Sequence, residues 1–304
     1  MNKIDKFYEI KNLLQCPICG RKIRFHAGGL VCKKEHRFDI SSKGYVNFLQ
    51  ASKPMKGYDR QFFECRRRVF EAGCYDHIVD GVTEAVVRSI KDRRAGTCCE
   101  SRGGHPLIQP LTVVDAGCGE GFYGLAVERR LREIGADGQV LAFDIASDAV
   151  KVAARSGAPV KWMVADITNI PVKDGTADVV LDVFTPANYG EFARILAEDG
   201  VVIKVVPGAN HMAQLRAAAA KQLRSEAYSN EDVLDYFLER FDLLERFTVS
   251  RTVPVDRERL ADLVNMTPVL FDVDKGLLDL SAVTEITVEG EIVAGRPRNG
   301  QDFS

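Results

Sequence analysis

The fold is decided by the stretch LTVVDAGCGEGFYG at residues 111–124. Its apolar start predicts a buried β-strand, and the alternating glycines Gly117, Gly119 and Gly121 predict a tight turn into a helix. Glycine at these positions lets the backbone approach a ligand closely. Asp115 ends the strand, where its carboxylate would repel a pyrophosphate but suits the ammonium group of an amino acid. The stretch therefore predicts a Rossmann-like strand–turn–helix unit that binds a ligand with a cationic end.

Two further carboxylates follow the next predicted strands. Asp144 ends a strand over 139–143, where an acid suits hydrogen bonds to a ribose diol. Asp166 follows a strand over 160–164 and is placed to accept from an adenine amino group. One Asp at a strand end is usually a helix cap, but three in successive register favour a ligand site. Because parallel strands end at one edge of a sheet, the pattern predicts S-adenosylmethionine (SAM) as the cofactor.

Strands and helices alternate through the rest of this region, which predicts an α/β fold with a doubly wound Rossmann-like sheet. The region as a whole is interpreted as a SAM-dependent methyltransferase domain. Its remaining predicted elements are strands over 177–183 and 201–206, helices over 122–134 and 187–196, and a sheet-completing segment over 284–293, all within a domain over 111–304.

A second motif lies near the N-terminus, where Cys16, Cys19, Cys32 and His36 follow the spacing C-x2-C-x12-C-x3-H. Two pairs of ligands on tight turns can surround one ion tetrahedrally, and thiolates with imidazole suit zinc. Four protein ligands leave no position for water, so the site is expected to be structural. His26 breaks the spacing and is the weaker candidate. The motif predicts a small zinc-ribbon or knuckle domain over the first 50 residues.

A helical connector is predicted over residues 51–110. Asp59 reads as the N-cap of a helix that stops at Gly73. A second helix is predicted over 76–91, and the Gly- and Arg-rich segment 92–110 is predicted to be a loop.

Charge is distributed unevenly along the 304 residues, whose net charge is −2. Residues 1–70 carry 16 Lys and Arg against 6 Asp and Glu, whereas the remainder carries 25 against 37. The excess of positive charge in residues 1–70 predicts a polyanion-binding face at one end of the protein. A solvated charged surface is an equally weighted alternative. Within it, the consecutive Arg66, Arg67 and Arg68 slightly favour phosphate contact over a solvated helix face.

Membrane insertion is not predicted, because no run of about 18 apolar residues occurs. The N-terminus lacks the apolar core of a secretory signal, so a cytoplasmic location is expected. In that compartment the eight cysteines are expected to be free thiols or metal ligands.

Several motifs together resemble the bacterial 23S rRNA (guanine-N1)-methyltransferase family across residues from about 13 to 270. These motifs are CPIC at 16–19 with C-x3-H-x-F-D at 32–39, KGYVN at 43–47, YDRQFFECRRRVFEAGCY at 58–75, DAGCGEGFYG at 115–124, FTPANYGEFARIL at 184–196 and KVVPGANHMAQL at 204–215. The resemblance implies a zinc module that docks a 23S rRNA hairpin, SAM-dependent methylation of one guanine at N1, and a homodimer. It also implies SAM contacts from Tyr75, Gly119, Glu120 and His211.

The acceptor base is expected after the fourth strand of the domain. Phe184 and Tyr189 are placed to stack on a flipped base, and Asp182 or Asn188 to contact its Watson–Crick edge as catalytic residues. Neutral guanine carries a proton on N1, so a base or a polarising contact at O6 is needed. The alternatives are methylation of another RNA position, methylation of a small molecule, and a non-catalytic RNA-binding protein.

Overall fold

The computed structural model describes residues 5–50, 56–96, 110–223, 229–298 and 300. Its elements are α1 (Asp5–Ile10), β1 (Ile23–His26), β2 (Gly29–Cys32), β3 (Arg37–Asp39), β4 (Tyr45–Asn47), α2 (Arg60–Glu71), α3 (Asp76–Gly96), β5 (Leu111–Ala116), α4 (Phe122–Glu133), β6 (Gly138–Asp144), α5 (Ser147–Ala153), β7 (Lys161–Val164), β8 (Ala177–Val183), α6 (Tyr189–Ile195), β9 (Leu196–Pro207), α7 (Ala213–Ala219), α8 (Glu231–Leu238), β10 (Phe241–Pro254), α9 (Arg257–Met266) and β11 (Glu285–Pro297).

Among the described residues, the main sheet has eight strands in the order β10-β11-β9-β8-β5-β6-β7-β4. The six strands from β9 to β4 run parallel, and β11 and β10 complete the sheet in antiparallel register. The reversal of strand order between β5 and β8 is the place where open α/β sheets bind ligands. The predicted doubly wound α/β fold is confirmed.

The N-terminal segment is attached to this sheet by one of its own strands. Strands β1, β2 and β3 form a separate antiparallel sheet. β4 instead pairs in parallel with β7, with Tyr45 opposite Trp162 and Asn47 opposite Val164. The KGYVN motif therefore supplies an edge strand of the methyltransferase sheet, and the predicted boundary at residue 50 falls just after that strand.

The connector begins as predicted, because the Asp59 side chain accepts the N–H of Phe62 at 2.9 Å and caps α2. Gly73, at φ +77°, follows the end of that helix. α3 continues past the predicted end at Lys91 to Gly96, because residues 92–95 include good helix formers and no proline. Part of the predicted loop 92–110 is thus helical. Residues 97–109 lie outside the described residues.

Two apolar cores cover the two faces of the sheet. Along β9, successive side chains alternate between these two cores. Val201, Ile203 and Val205 pack with α2, α3, α4 and α5, whereas Val202 and Val206 pack with α6 and α8. Side chains two positions apart on a strand share a face, so Lys204 points to the α6 and α8 side. No described helix is long and apolar enough to cross a membrane.

Candidate functional site

The four predicted metal ligands come together at the N-terminal turns. Their donor atoms all lie within 4.8 Å of one another. Cys16 Sγ is 3.4 Å from His36 Nδ1, and Cys19 Sγ is 3.7 Å from Cys32 Sγ. Zn–S bonds of about 2.3 Å and tetrahedral angles place two sulfurs about 3.8 Å apart, so the cluster has the dimensions of a zinc site. His26 is not part of the cluster.

Hydrogen bonds from backbone amides shape the two turns that carry the ligands. The amides of Cys19 and Gly20 both donate to the carbonyl of Cys16, at 3.3 and 2.7 Å. The amide of Lys34 points at Cys32 Sγ from 3.3 Å, a contact that stabilises a thiolate. The residues therefore fit a structural zinc ion held by all four side chains.

The glycine turn leaves little space for side chains. Gly117, Gly119 and Gly121 have φ of +73°, +55° and +85°. A Cβ at Gly121 would lie 2.3 Å from the buried ring of Trp162, and one at Gly117 2.5 Å from Thr185 Oγ1. The turn thus presents bare backbone to the carboxyl end of β5, as expected for close approach of a cofactor.

Three acids surround this turn. Asp144 Oδ2 accepts the N–H of Gly119 at 2.9 Å, which fixes the turn against β6. Asp115 and Glu120 are 2% and 5% exposed, and each has one carboxylate oxygen, Oδ2 and Oε2 respectively, that is buried without a hydrogen-bond partner in the described structure. Buried unpartnered acceptors are costly unless a ligand donates to them. The acids around this turn fit the cationic end of SAM.

Burial sets the protonation of these acids. It raises the pKa of Asp115 to about 7, although the N–H of Gly124 opposes the shift. Burial also raises the pKa of Glu120, which the neighbouring Arg66 lowers in part. Arg66 Nε lies 3.2 Å from Glu120 Oε1. Sequence reasoning missed this pair, because nothing in the run Arg66–Arg68 distinguishes its first member.

The three arginines of that run point in different directions, as their spacing requires. Arg68 forms two bonds to Asp262, and Arg67 pairs with Glu71 one turn along α2. Each of the three is thus paired with an acid of this chain, so the phosphate contact predicted for the run is not supported.

A cavity of about 730 Å³ extends along the ends of β8 and β9, and its wall includes Arg66 and Thr185, which lie next to Gly119 and Gly117 of the turn. Its wall includes Tyr75 and His211, whose rings are 6.1 Å apart, and Phe184, whose ring is 5.6 Å from that of His211. On the other side, Tyr189 and Tyr236 stack at 5.3 Å. Aromatic side chains thus form part of the cavity wall, which suits a planar base.

His211 is held in place by the backbone of β11. Its Nδ1 lies 2.8 Å from the carbonyl oxygen of Glu289. Burial lowers the pKa of the imidazole to about 4, so His211 is neutral at physiological pH. A neutral ring beside Tyr75 lets a cationic ligand approach without repulsion.

The two predicted catalytic residues have other contacts. Asp182 is completely buried, and its Oδ2 accepts from Lys204 Nζ at 2.6 Å. Asn188 Oδ1 accepts the N–H of Glu191 at 3.0 Å and caps α6. Lys204 itself lines the cavity. Sequence reasoning missed it, although a single lysine inside the apolar strand VVIKVV was a visible signal.

Asp166 lies apart from the main cavity. Its Oδ1 accepts hydrogen bonds from the amide and hydroxyl of Thr168. Asp166 also lines a second cavity of about 400 Å³ together with Pro17 and Ile18 of the N-terminal zinc segment, residues 14–50. Asn169 Nδ2 donates to the carbonyl of Pro17 at 2.8 Å across this space. The predicted adenine contact of Asp166 stays a prediction.

Comparison with known proteins adds two domain matches. Residues 14–53 match the family described as "RlmA, N-terminal", a zinc ribbon, and residues 113–204 match "Methyltransferase domain". Among solved structures, a SAM-dependent methyltransferase from Aquifex aeolicus is 17% identical, covers 61% of this chain and 82% of its own, and has a TM-score of 0.36.

Two curated relatives match almost the whole chain. "Putative 23S rRNA (guanine-N(1)-)-methyltransferase YxjB" of Bacillus subtilis (strain 168) is 30% identical over 291 residues, 93% of this chain and 97% of the relative. "23S rRNA (guanine(748)-N(1))-methyltransferase" of Streptomyces fradiae is 27% identical over 93% of this chain and 96% of its own length. Together with the zinc cluster and the glycine turn, these matches show that the chain belongs to the 23S rRNA (guanine-N1)-methyltransferase family of SAM-dependent enzymes.

Proposed function

We propose that this protein methylates N1 of a guanine in a 23S rRNA hairpin, with SAM as the methyl donor. The observation that carries the proposal is the cavity at the ends of β8 and β9, which has aromatic side chains in its wall, contains the buried Lys204 and is lined near the glycine turn by Arg66 and Thr185. Bound SAM would supply a methyl group on a positively charged sulfur. The residues of the chain would position it and prepare the base.

Within the cavity, Phe184 and Tyr189 are proposed to stack on the flipped guanine. As N1 takes the methyl group from the sulfur, its proton is released to solvent water, and the negative charge that develops on the base is spread onto O6. Lys204, with 3% of its side chain exposed, would donate to that oxygen from a site of low dielectric. A buried ammonium is costly alone, and Asp182 offsets that cost by pairing with it.

Asp182 therefore has a proposed role that differs from direct base contact. It fixes the position of the Lys204 side chain by pairing with its Nζ, and so acts as a positioning residue. Asn188, by capping α6, keeps the aromatic wall at Tyr189 in place. A contact between the Asn188 amide and the base remains part of the proposal, because the helix cap engages only the Oδ1 atom and leaves the NH2 group to donate.

RNA docking is proposed to use a set of exposed cations on the zinc segment, which we name the basic rim. No ion pair joins its members to an acid within the described residues, unlike Arg24 and Arg37, which pair with Glu35 and Asp39. The rim comprises Arg21, Lys22, Lys33, Lys34 and Lys43. Free lysines and arginines on a rigid module are suited to phosphate contacts.

The cytoplasm is the proposed compartment, since an rRNA substrate is found there. A homodimer is proposed from the family resemblance, and light scattering of the purified protein tests it directly.

The reaction is tested with zinc-loaded protein, tritiated SAM and unmodified 23S rRNA, followed by nucleoside digestion and mass spectrometry. We expect 1-methylguanosine, and we expect it to disappear in a Cys16→Ser/Cys19→Ser variant that still binds SAM. Label in another nucleoside would move the target to a different RNA position. SAM binding with no label in RNA would refute the proposal in favour of a small-molecule substrate or a non-catalytic role.

A further inference from the structure

Arg66 occupies an unusual place for a helix arginine. Its guanidinium lies over the glycine turn, so that a Cβ at Gly119 would be 3.3 Å from its Nη1. Its Cζ lies 5.4 Å from the centre of the Phe70 ring. Arg66 lines the main cavity and keeps 17% of its side chain exposed, whereas its partner Glu120 keeps 3%. The charged end of Arg66 is thus accessible from the cavity, at the turn where a cofactor is expected.

The charges at this place do not balance. Asp115, Glu120 and Asp144 are acids that influence one another and the Arg66 guanidinium. Glu120 Oε2 and Asp115 Oδ2 are both buried without a hydrogen-bond donor in the described structure. A ligand with only positive groups would satisfy these oxygens but would also meet the guanidinium. An α-amino acid group brings both signs, an ammonium for the acids and a carboxylate for the arginine.

We propose that Arg66 binds the α-carboxylate of the amino-acid part of SAM and exchanges its Glu120 partner for that carboxylate. The inference rests on the proposed SAM-dependent function. An arginine has the planar fork that pairs with a carboxylate through two parallel hydrogen bonds. In the exchange, Glu120 becomes available to the ammonium group. No covalent bond forms or breaks.

The neighbouring arginines supply a matched comparison. Arg67 belongs to the same helix and also pairs with a glutamate, Glu71, but its side chain is 40% exposed and it does not line the cavity. Replacing Arg67 removes the same charge from the same helix without touching the glycine turn.

The test compares two probes by calorimetry, SAM and 5′-methylthioadenosine, which has the same nucleoside but a neutral thioether sulfur and no amino-acid group. We expect Arg66→Met to bind SAM about 10- to 100-fold more weakly than wild type, because a charged hydrogen-bonded contact is lost. Its affinity for methylthioadenosine should stay within about twofold of the wild-type value. Arg67→Met should leave both affinities unchanged. Arg66→Lys should recover part of the SAM affinity, because it keeps the charge but not the fork.

Glu120 is left unpaired in Arg66→Met, so Arg66→Gln, whose amide can still donate to Glu120, provides a second variant for the same comparison if the first does not fold. An unchanged SAM affinity, or an equal loss for both probes, would overturn the inference. If wild-type protein binds neither probe, the SAM assignment itself fails. If wild type binds SAM and Arg66→Met binds it equally well, the Arg66 inference alone fails.

Discussion

Replacing Lys204 by methionine should destabilise the protein strongly. Asp182 is completely buried, and Lys204 Nζ at 2.6 Å is the partner of its Oδ2. Removing one member of a buried ion pair costs about 3–5 kcal/mol of unfolding free energy, because the other charge is left without compensation. At a urea dependence of about 3 kcal/mol per molar, the unfolding midpoint should fall by about 1–2 M.

The second variant of this series removes both charges. Lys204→Met/Asp182→Val should unfold at or above the wild-type midpoint, since apolar residues often replace a buried ion pair without loss. The single tryptophan, Trp162, is 1% exposed in β7 and reports unfolding by its fluorescence. The reasoning is refuted if Lys204→Met alone matches the wild-type midpoint.

The cost of Lys204→Met should also depend on pH. Burial raises the pKa of Asp182, and Lys204 opposes that shift. Without the lysine the folded-state pKa rises further above that of the unfolded chain, near 4. The folded variant then stays protonated while the unfolded chain ionises, so stability is lost as pH rises above about 4. The difference in unfolding midpoint between Lys204→Met and wild type should be larger at pH 8 than at pH 5.5.

The same pair of variants tests the proposed catalysis without interference from misfolding. The double variant should bind SAM normally and bind RNA through the basic rim, yet transfer methyl groups at least about 100-fold more slowly, as for the loss of one electrostatic donor. Turnover at the wild-type rate would remove Lys204 from the proposed mechanism.

Three other measurements follow from the site. Because burial raises the pKa of Asp115 to about 7, its carboxylate is largely neutral below that pH. The affinity for SAM should therefore rise up to about tenfold per pH unit as the pH increases toward 7, and then level off. Calorimetry on Asp115→Asn should instead show an affinity that does not change with pH. Neutralising Arg21, Lys22 and Lys33 should reduce the slope of log affinity against log salt for rRNA by about 2–3 in a filter-binding titration, with SAM affinity as the unaffected control. Chelation of zinc should make the segment that contains Cys16 and Cys32 sensitive to protease, since metal binding contributes about 10 kcal/mol or more to the folding of such modules; unchanged cleavage would argue against a structural metal.

Much of the methyltransferase fold could be predicted because its signals are local. The strand over 177–183 has the bounds predicted from its apolar run, and Asp59 caps α2 as predicted. These features depend on neighbours in the chain, so pattern and propensity are sufficient.

The features that were missed depend on distant residues. β4 joins the main sheet only because β7, more than a hundred residues later, is its neighbour. The pairing of Lys204 with Asp182 crosses two adjacent strands, and that of Arg66 with Glu120 joins a connector helix to the glycine turn. No spacing rule relates such residues, so the sequence can single out a residue such as Lys204 but does not show which residue it contacts.

The parallel pairing of β4 with β7 has a consequence for attempts to divide the protein. β7 is an apolar strand, Lys-Trp-Met-Val, and β4 covers the N–H and C=O groups along its outer side. A catalytic fragment that starts after residue 50 would leave those groups open to a strand from another molecule, the usual route to edge-to-edge aggregation. The zinc segment thus shields the rest of the chain from self-association, and a soluble enzyme is expected only when it is present.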